Sequence, residues 1–139
     1  MKELLIDAKT ENLYAALEFV AGELEAADCP MKLQTPIGIA VEEVFVNIAL
    51  YAYKPEVGGV VIRVAVGDEV LIEFEDKGVP YNPLEKIDPD VTAALEEREV
   101  GGLGVFMVKK IMDSVKYEYK DGKNILTISK KCSQEELTR

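Results

Sequence analysis

Two apolar runs in the middle of the chain alternate residue by residue on either side of a glycine-led turn, and this pattern constrains the fold most. Val60 to Val66 and Glu69 to Phe74 flank Gly67-Asp68, so a period of two on both sides predicts an antiparallel hairpin at the centre of a sheet. In the second arm Val70, Ile72 and Phe74 share one face and Leu71, Glu73 and Glu75 the other, which puts Asp76 on the buried parity. An unpaired carboxylate against an apolar face costs several kcal/mol, roughly. Asp76 therefore either lies past the strand's end in water or is kept for a polar ligand. The following segment, Lys77 to Pro83, is turn-rich, and Gly78 could let a flat ligand approach the backbone closely.

Around the hairpin, Leu4 and Ile6 mark a short first strand. Thr10 is placed to cap a helix carrying Leu13, Leu17, Val20 and Leu24, which ends near Cys29-Pro30. A second helix is expected from about Pro36 to about Tyr53, with Ile37, Ala40, Val41, Val44, Phe45 and Ile48 in one apolar stripe. The stretch from Pro83 to Gly102 is acidic and poorly periodic, with at most a short helix around Val91 to Glu97, and reads as a mobile lid-like loop. A third helix from about Leu103 to Asp113 offers Val105, Val108 and Met112 to the core. A last hairpin, Val115 to Tyr119 and Ile125 to Lys130, turns at Asp121-Gly122.

The chain has 139 residues, 48% of them hydrophobic, enough for one domain with its own core, expected over 1–132, and a polar tail over 133–139. A net charge of −10 argues against direct nucleic-acid binding or an anionic membrane surface, although backbone amides can still hold phosphate groups. The two cysteines, Cys29 and Cys132, lack metal-ligand spacing and there is no histidine, which excludes a zinc site or a histidine-based triad. The opening residues, Met1 to Asp7, do not have the pattern of a signal peptide, so a cytoplasmic location without membrane contact is expected.

Two further positions carry possible chemistry. Asn47 sits inside the second helix, where Asn is a poor helix former, and Glu43 lies one turn earlier on the same face. The pair could place an amide oxygen on Mg2+ beside a carboxylate that orients or deprotonates a nucleophile; the same spacing also describes an ordinary solvated face. Gly101-Gly102-Leu103-Gly104 precedes the third helix, whose free N–H groups suit a phosphate. Loop flexibility or close helix packing accounts for such glycines equally well. The spacing is not that of a Walker loop, and no strand leads into the glycines as in a dinucleotide fold.

Taken in order, Ala40-Val41-Glu42-Glu43-Val44-Phe45-Val46-Asn47, Asp76-Lys77-Gly78-Val79-Pro80 and Gly102-Leu103-Gly104 resemble the N box and two glycine boxes of the gyrase, heat-shock chaperone and histidine-kinase ATPase (GHKL) superfamily. Within it the chain looks most like the stand-alone anti-sigma-factor serine/threonine kinases. The resemblance implies a Bergerat ATP-binding fold: an α/β two-layer sandwich (α+β) whose mixed, mainly antiparallel sheet is covered on one face by about three helices. It implies ATP and Mg2+ as cofactors. Asp76 would accept from the adenine amino group, Gly78 would leave room for the base, and Asn47 would be the metal ligand. Gly102, Leu103 and Gly104 would close on the phosphates, Arg98 could add a positive charge there, and Glu43 would be the catalytic base. Arg98 among Glu96, Glu97 and Glu99 is also an ordinary surface ion-pair arrangement.

The implied partners are a small anti-anti-sigma (STAS-type) protein as phosphoacceptor, a sigma factor, and a second copy of the chain. The alternative function is a nucleotide-responsive partner-switch module without efficient phosphoryl transfer. The chain departs from the pattern at Tyr51, where many relatives carry His, at Val100-Gly101, and in the last strand. That strand lacks the usual Gly-Thr pair, leaving Thr127 as a hydroxyl that could serve the adenine pocket. Without a phosphoacceptor histidine or a dimerising hairpin, sensor histidine-kinase activity by this chain alone is excluded.

Overall fold

The computed structural model describes residues 1–53, 56–83 and 102–132, with side chains from Phe106 onward in the last stretch. Five strands form one sheet: β1 (Lys2–Asp7), β2 (Gly59–Val66), β3 (Glu69–Asp76), β4 (Ser114–Lys120) and β5 (Lys123–Lys131), in the order β1-β2-β3-β5-β4. Every neighbouring pair is antiparallel, so the mixed sheet allowed for above has no parallel pair among the described residues. The central hairpin forms as its alternation requires, with Val64 opposite Ile72 and Ile62 opposite Phe74. The last hairpin turns through Asp121 (φ 54°) and Gly122 (φ 76°). This left-handed pair matches the twist of two paired strands, and Asp and Gly tolerate it best.

Three helices, α1 (Leu13–Ala26), α2 (Met31–Tyr51) and α3 (Gly102–Ile111), cover one face. α2 lies in the middle, packed against both others. Ile37, Ala40, Val41 and Phe45 of α2 are wholly buried against Ile62, Val70, Ile72 and Ile128 of the sheet. Each large side chain so buried contributes about 1.5–3 kcal/mol. By length and mean hydropathy (21 residues, 1.3) α2 could cross a membrane, but here that apolarity is satisfied by the core, and Glu42 and Glu43 interrupt it.

Several boundaries differ from expectation. Thr10 does not cap α1: it opens a short 3₁₀ turn (Thr10–Asn12), its hydroxyl bonds Glu11 at 3.0 Å, and the helix begins at Leu13. α1 stops before Cys29-Pro30 because Asp28 turns left-handed (φ 58°), with Cys29 N–H on the Leu24 carbonyl (2.9 Å) and Asp28 N–H on the Glu25 carbonyl (3.0 Å). α2 starts at Met31 and not at Pro36, because Leu33, one turn before Ile37, extends the buried stripe toward the N-terminus. Pro36 therefore lies inside the helix, where proline costs ~3 kcal/mol relative to a good helix former. α2 and α3 both end two residues sooner than expected, at Tyr51 and Ile111. The expected short helix at 91–97, most of the acidic loop and the tail 133–139 lie outside the described residues.

Candidate nucleotide site

Asp76 is the last residue of β3, paired with Val60 on one side and Asn124 on the other, and it is 5% exposed. It lies in the ladder and not past the strand's end. Its Oδ1 accepts the Gly78 N–H (2.9 Å) and the Asn124 Nδ2 (3.0 Å). Oδ2 is left without a protein donor among the described residues. Burial is the largest influence on this carboxyl and raises its pKa; the bonds from Asn124 and Gly78 oppose that rise, and Glu75 adds to it.

Asp76 lines a small pocket between the sheet and α2. α2 contributes Val44, Asn47, Ile48 and Tyr51, the segment after β3 contributes Val79 and Tyr81, and β4 and β5 contribute Tyr117, Asn124 and Leu126. The Tyr51 and Tyr81 rings meet at 6.3 Å, tilted by 30°. Asn47 is buried, and its Oδ1 has no hydrogen-bond partner among the described residues. A buried acceptor left unmade costs about 1–3 kcal/mol, which marks it as an atom suited to a ligand.

A second, smaller pocket adjoins the first, sharing Val44, Asn47, Pro83 and Leu126, and adds Glu43, Val108 and Val115. Thus α2 presents Glu43, Asn47 and Tyr51 at successive turns along one continuous cleft, with Asp76 at the Tyr51 end. Glu43 is pushed above its ordinary pKa by desolvation, with Glu42 adding repulsion. The helix spacing therefore made a polar notch and not a solvated face.

Magnesium favours oxygen ligands and is commonly held by one or two side chains together with substrate phosphates. The unpartnered Asn47 oxygen fits that demand, and no cluster of three His, Cys, Asp or Glu gathers to hold a metal by protein alone among the described residues. Gly102, Leu103 and Gly104 form the first turn of α3, where helical N–H groups lack intrahelical partners. Arg98 and Gly101 lie outside the described residues.

Two sequence readings are corrected. A Cβ on Gly78 would collide with the Ala52 carbonyl oxygen, so the missing side chain admits the end of α2 and not a base. That carbonyl also accepts the Val79 N–H at 3.0 Å. Thr127 pairs with Glu73 and Lys116 on the parity opposite to Asn124, Leu126 and Ile128, so its hydroxyl points away from the pocket. The polar residue that β5 does supply is Asn124, 6% exposed. It was legible by the argument used for Asp76, since it occupies the buried parity of an alternating strand.

A layer of helices over one face of an antiparallel sheet, with a cleft between them lined by a buried carboxylate and a buried amide, defines the class of two-layer α+β domains. The description "Histidine kinase-like ATPase domain" matches residues 6–130, and the chain belongs to this family, which implies use of ATP. Among known proteins the chain is 29% identical to the anti-sigma F factor of Clostridium acetobutylicum over 130 residues, covering 93% of this chain and 91% of that protein. It is 27% identical to the serine-protein kinase RsbW of Bacillus mycoides, covering 89% and 81%. In a solved structure of the RsbU and RsbW domains of a Mycobacterium tuberculosis protein, the fold superposes with a TM-score of 0.67 at 16% identity, covering 96% of this chain and 33% of that one.

Proposed function

We propose that this protein is a Mg2+- and ATP-dependent serine/threonine kinase acting on a small STAS-type anti-anti-sigma partner, with a sigma factor as a second partner. The observation that carries the reading is the continuous cleft in which Glu43, Asn47 and Asp76 line up along α2 and the end of β3. The names of the relatives, an anti-sigma F factor and a serine-protein kinase, support the same biology.

In this reading Asp76 Oδ2 accepts from the adenine amino group, while Val79, Tyr81, Tyr51 and Ile48 enclose the base. Asn47 Oδ1 is the side-chain ligand for magnesium, which when bound would neutralise charge on the phosphates. Gly102, Leu103 and Gly104, opening α3, offer backbone N–H groups to phosphate oxygens, with Arg98 as an added cation. Glu43, made more basic by burial, takes the proton of a serine hydroxyl as its oxygen attacks the terminal phosphorus and the bond to the β-phosphate oxygen breaks. Residues 1–132 act as one cytoplasmic domain. A homodimer would form along the free edge of β1, where Leu5 is 72% exposed.

The test is transfer of labelled phosphate from ATP to a STAS-type acceptor by wild type and by Glu43→Gln. We expect the variant to keep its affinity for Mg·ATP and to lose about 10²–10⁴-fold in transfer rate. Equal transfer by both would remove Glu43 as the base. Nucleotide binding and partner binding without transfer by the wild type would favour the alternative, a partner-switch module.

A further inference from the structure

Asn124 sits at the start of β5, directly opposite Asp76, and its side chain makes more contacts than any simple strand residue needs. Nδ2 donates to Asp76 Oδ1 (3.0 Å) and to the Val79 carbonyl (2.9 Å), with a longer approach to the Gly78 carbonyl (3.3 Å). Oδ1 accepts the Tyr81 N–H (3.2 Å) and the Tyr117 hydroxyl.

The direction of this amide is set by groups that cannot reverse. Backbone carbonyls only accept and a backbone N–H only donates, so Gly78, Val79 and Tyr81 together force Nδ2 toward Asp76. The Gly78 N–H, equally irreversible, lands on the same Asp76 oxygen. Two donors thus saturate Oδ1 and leave Oδ2 as the oxygen a ligand can meet.

We infer that Asn124 is a positioning residue that sets the base preference of this pocket: it holds Asp76 as an acceptor with Oδ2 turned to the ligand, selecting a purine with an exocyclic amino group over one with a carbonyl at that edge. The inference rests on the nucleotide reading above and extends it from Asp76 to the residue that orients it. A site built to accept from an N–H discriminates strongly against an analogue that presents an acceptor, because the two then face each other unpaired. The same amide ties Val79 and Tyr81, two walls of the pocket, to the carboxylate, so base edge and base face are positioned together.

The experiment is calorimetric titration of Mg·ADP and Mg·IDP, which differ at the purine 6-position, into wild type, Asn124→Leu and the milder Asn124→Ser, with thermal melts of each. Wild type should bind ADP at least about tenfold more tightly than IDP. In a folded variant that gap should shrink to about threefold or less, whereas a merely structural role would weaken both nucleotides together and leave the gap. If Asn124→Leu does not fold, Asn124→Ser supplies the comparison. An undiminished gap in a folded variant, or no gap in wild type, overturns this inference and leaves the nucleotide reading standing; wild type that binds neither nucleotide overturns the nucleotide reading itself.

Discussion

A carboxylate held at the buried end of a central strand works against the stability of the protein that carries it. Burial raises the Asp76 pKa more than its two hydrogen bonds lower it, so the folded state holds that proton more tightly than the unfolded chain. Its contribution to stability is then greatest below the ordinary carboxylate pKa, about 3.9, and is lost as pH rises from there through the raised value. The Asp76→Asn variant keeps an acceptor for Gly78 and Asn124 while removing the charge. We expect its melting temperature at neutral pH to equal or exceed wild type by about 2–4 °C, without this group's decline in stability with pH, and its affinity for Mg·ADP to fall at least about tenfold. Melts across pH and calorimetry check both; a variant that binds as wild type does would remove Asp76 from the site. Asp76 was legible in the sequence as a carboxylate on the buried parity of a strand, and Asn47 as a poor helix former inside a helix with Glu43 one turn before it. Asn124 obeys the same rule as Asp76, but the missing Gly-Thr pair drew the reading of β5 toward Thr127, on the wrong face.

At the scale of elements, the end of α2 and the turn after β3 are fitted to each other. Ala52 closes the helix, its carbonyl accepts the Val79 N–H, and Gly78 leaves the space that carbonyl fills. Tyr53 reinforces the joint, its hydroxyl accepting the Lys77 N–H (2.7 Å) and donating to the Gly59 carbonyl (2.6 Å). A methyl group on Gly78 must push the helix end away, so Gly78→Ala should destabilise by about 1–3 kcal/mol and weaken nucleotide binding through displacement of Asp76's donor. Urea denaturation with unchanged slope and a lower midpoint would show this; an unchanged midpoint would mean that the joint yields freely. The hairpins were readable because period two and turn chemistry are local. The start of α2 was not, because proline at a helix start is the common case, and only burial of Leu33 makes a turn before Pro36 worth forming.

At the scale of the whole molecule, the cleft gathers residues from α2, β3 and β5 that are separated by much of the chain, so a ligand bound there ties the helical layer to the sheet. Mg·ADP at a hundred times its Kd should therefore stabilise the fold by about 2.7 kcal/mol. A thermal shift that follows ligand concentration in wild type and is lost in Asp76→Asn is the expected result; no shift at saturating nucleotide would contradict a site in this cleft. The sequence by itself determined the strands, the apolar stripe of α2, the misplaced polarity of Asp76 and the order of the three motifs, because each depends on spacing along one element. Only the tertiary structure decided that Gly78 serves α2, that Thr127 faces away, and that Asn124 is wired to Asp76. These depend on which strand lies beside β3 and on where a helix ends against a turn, and no spacing within a single element encodes a neighbour 48 residues away.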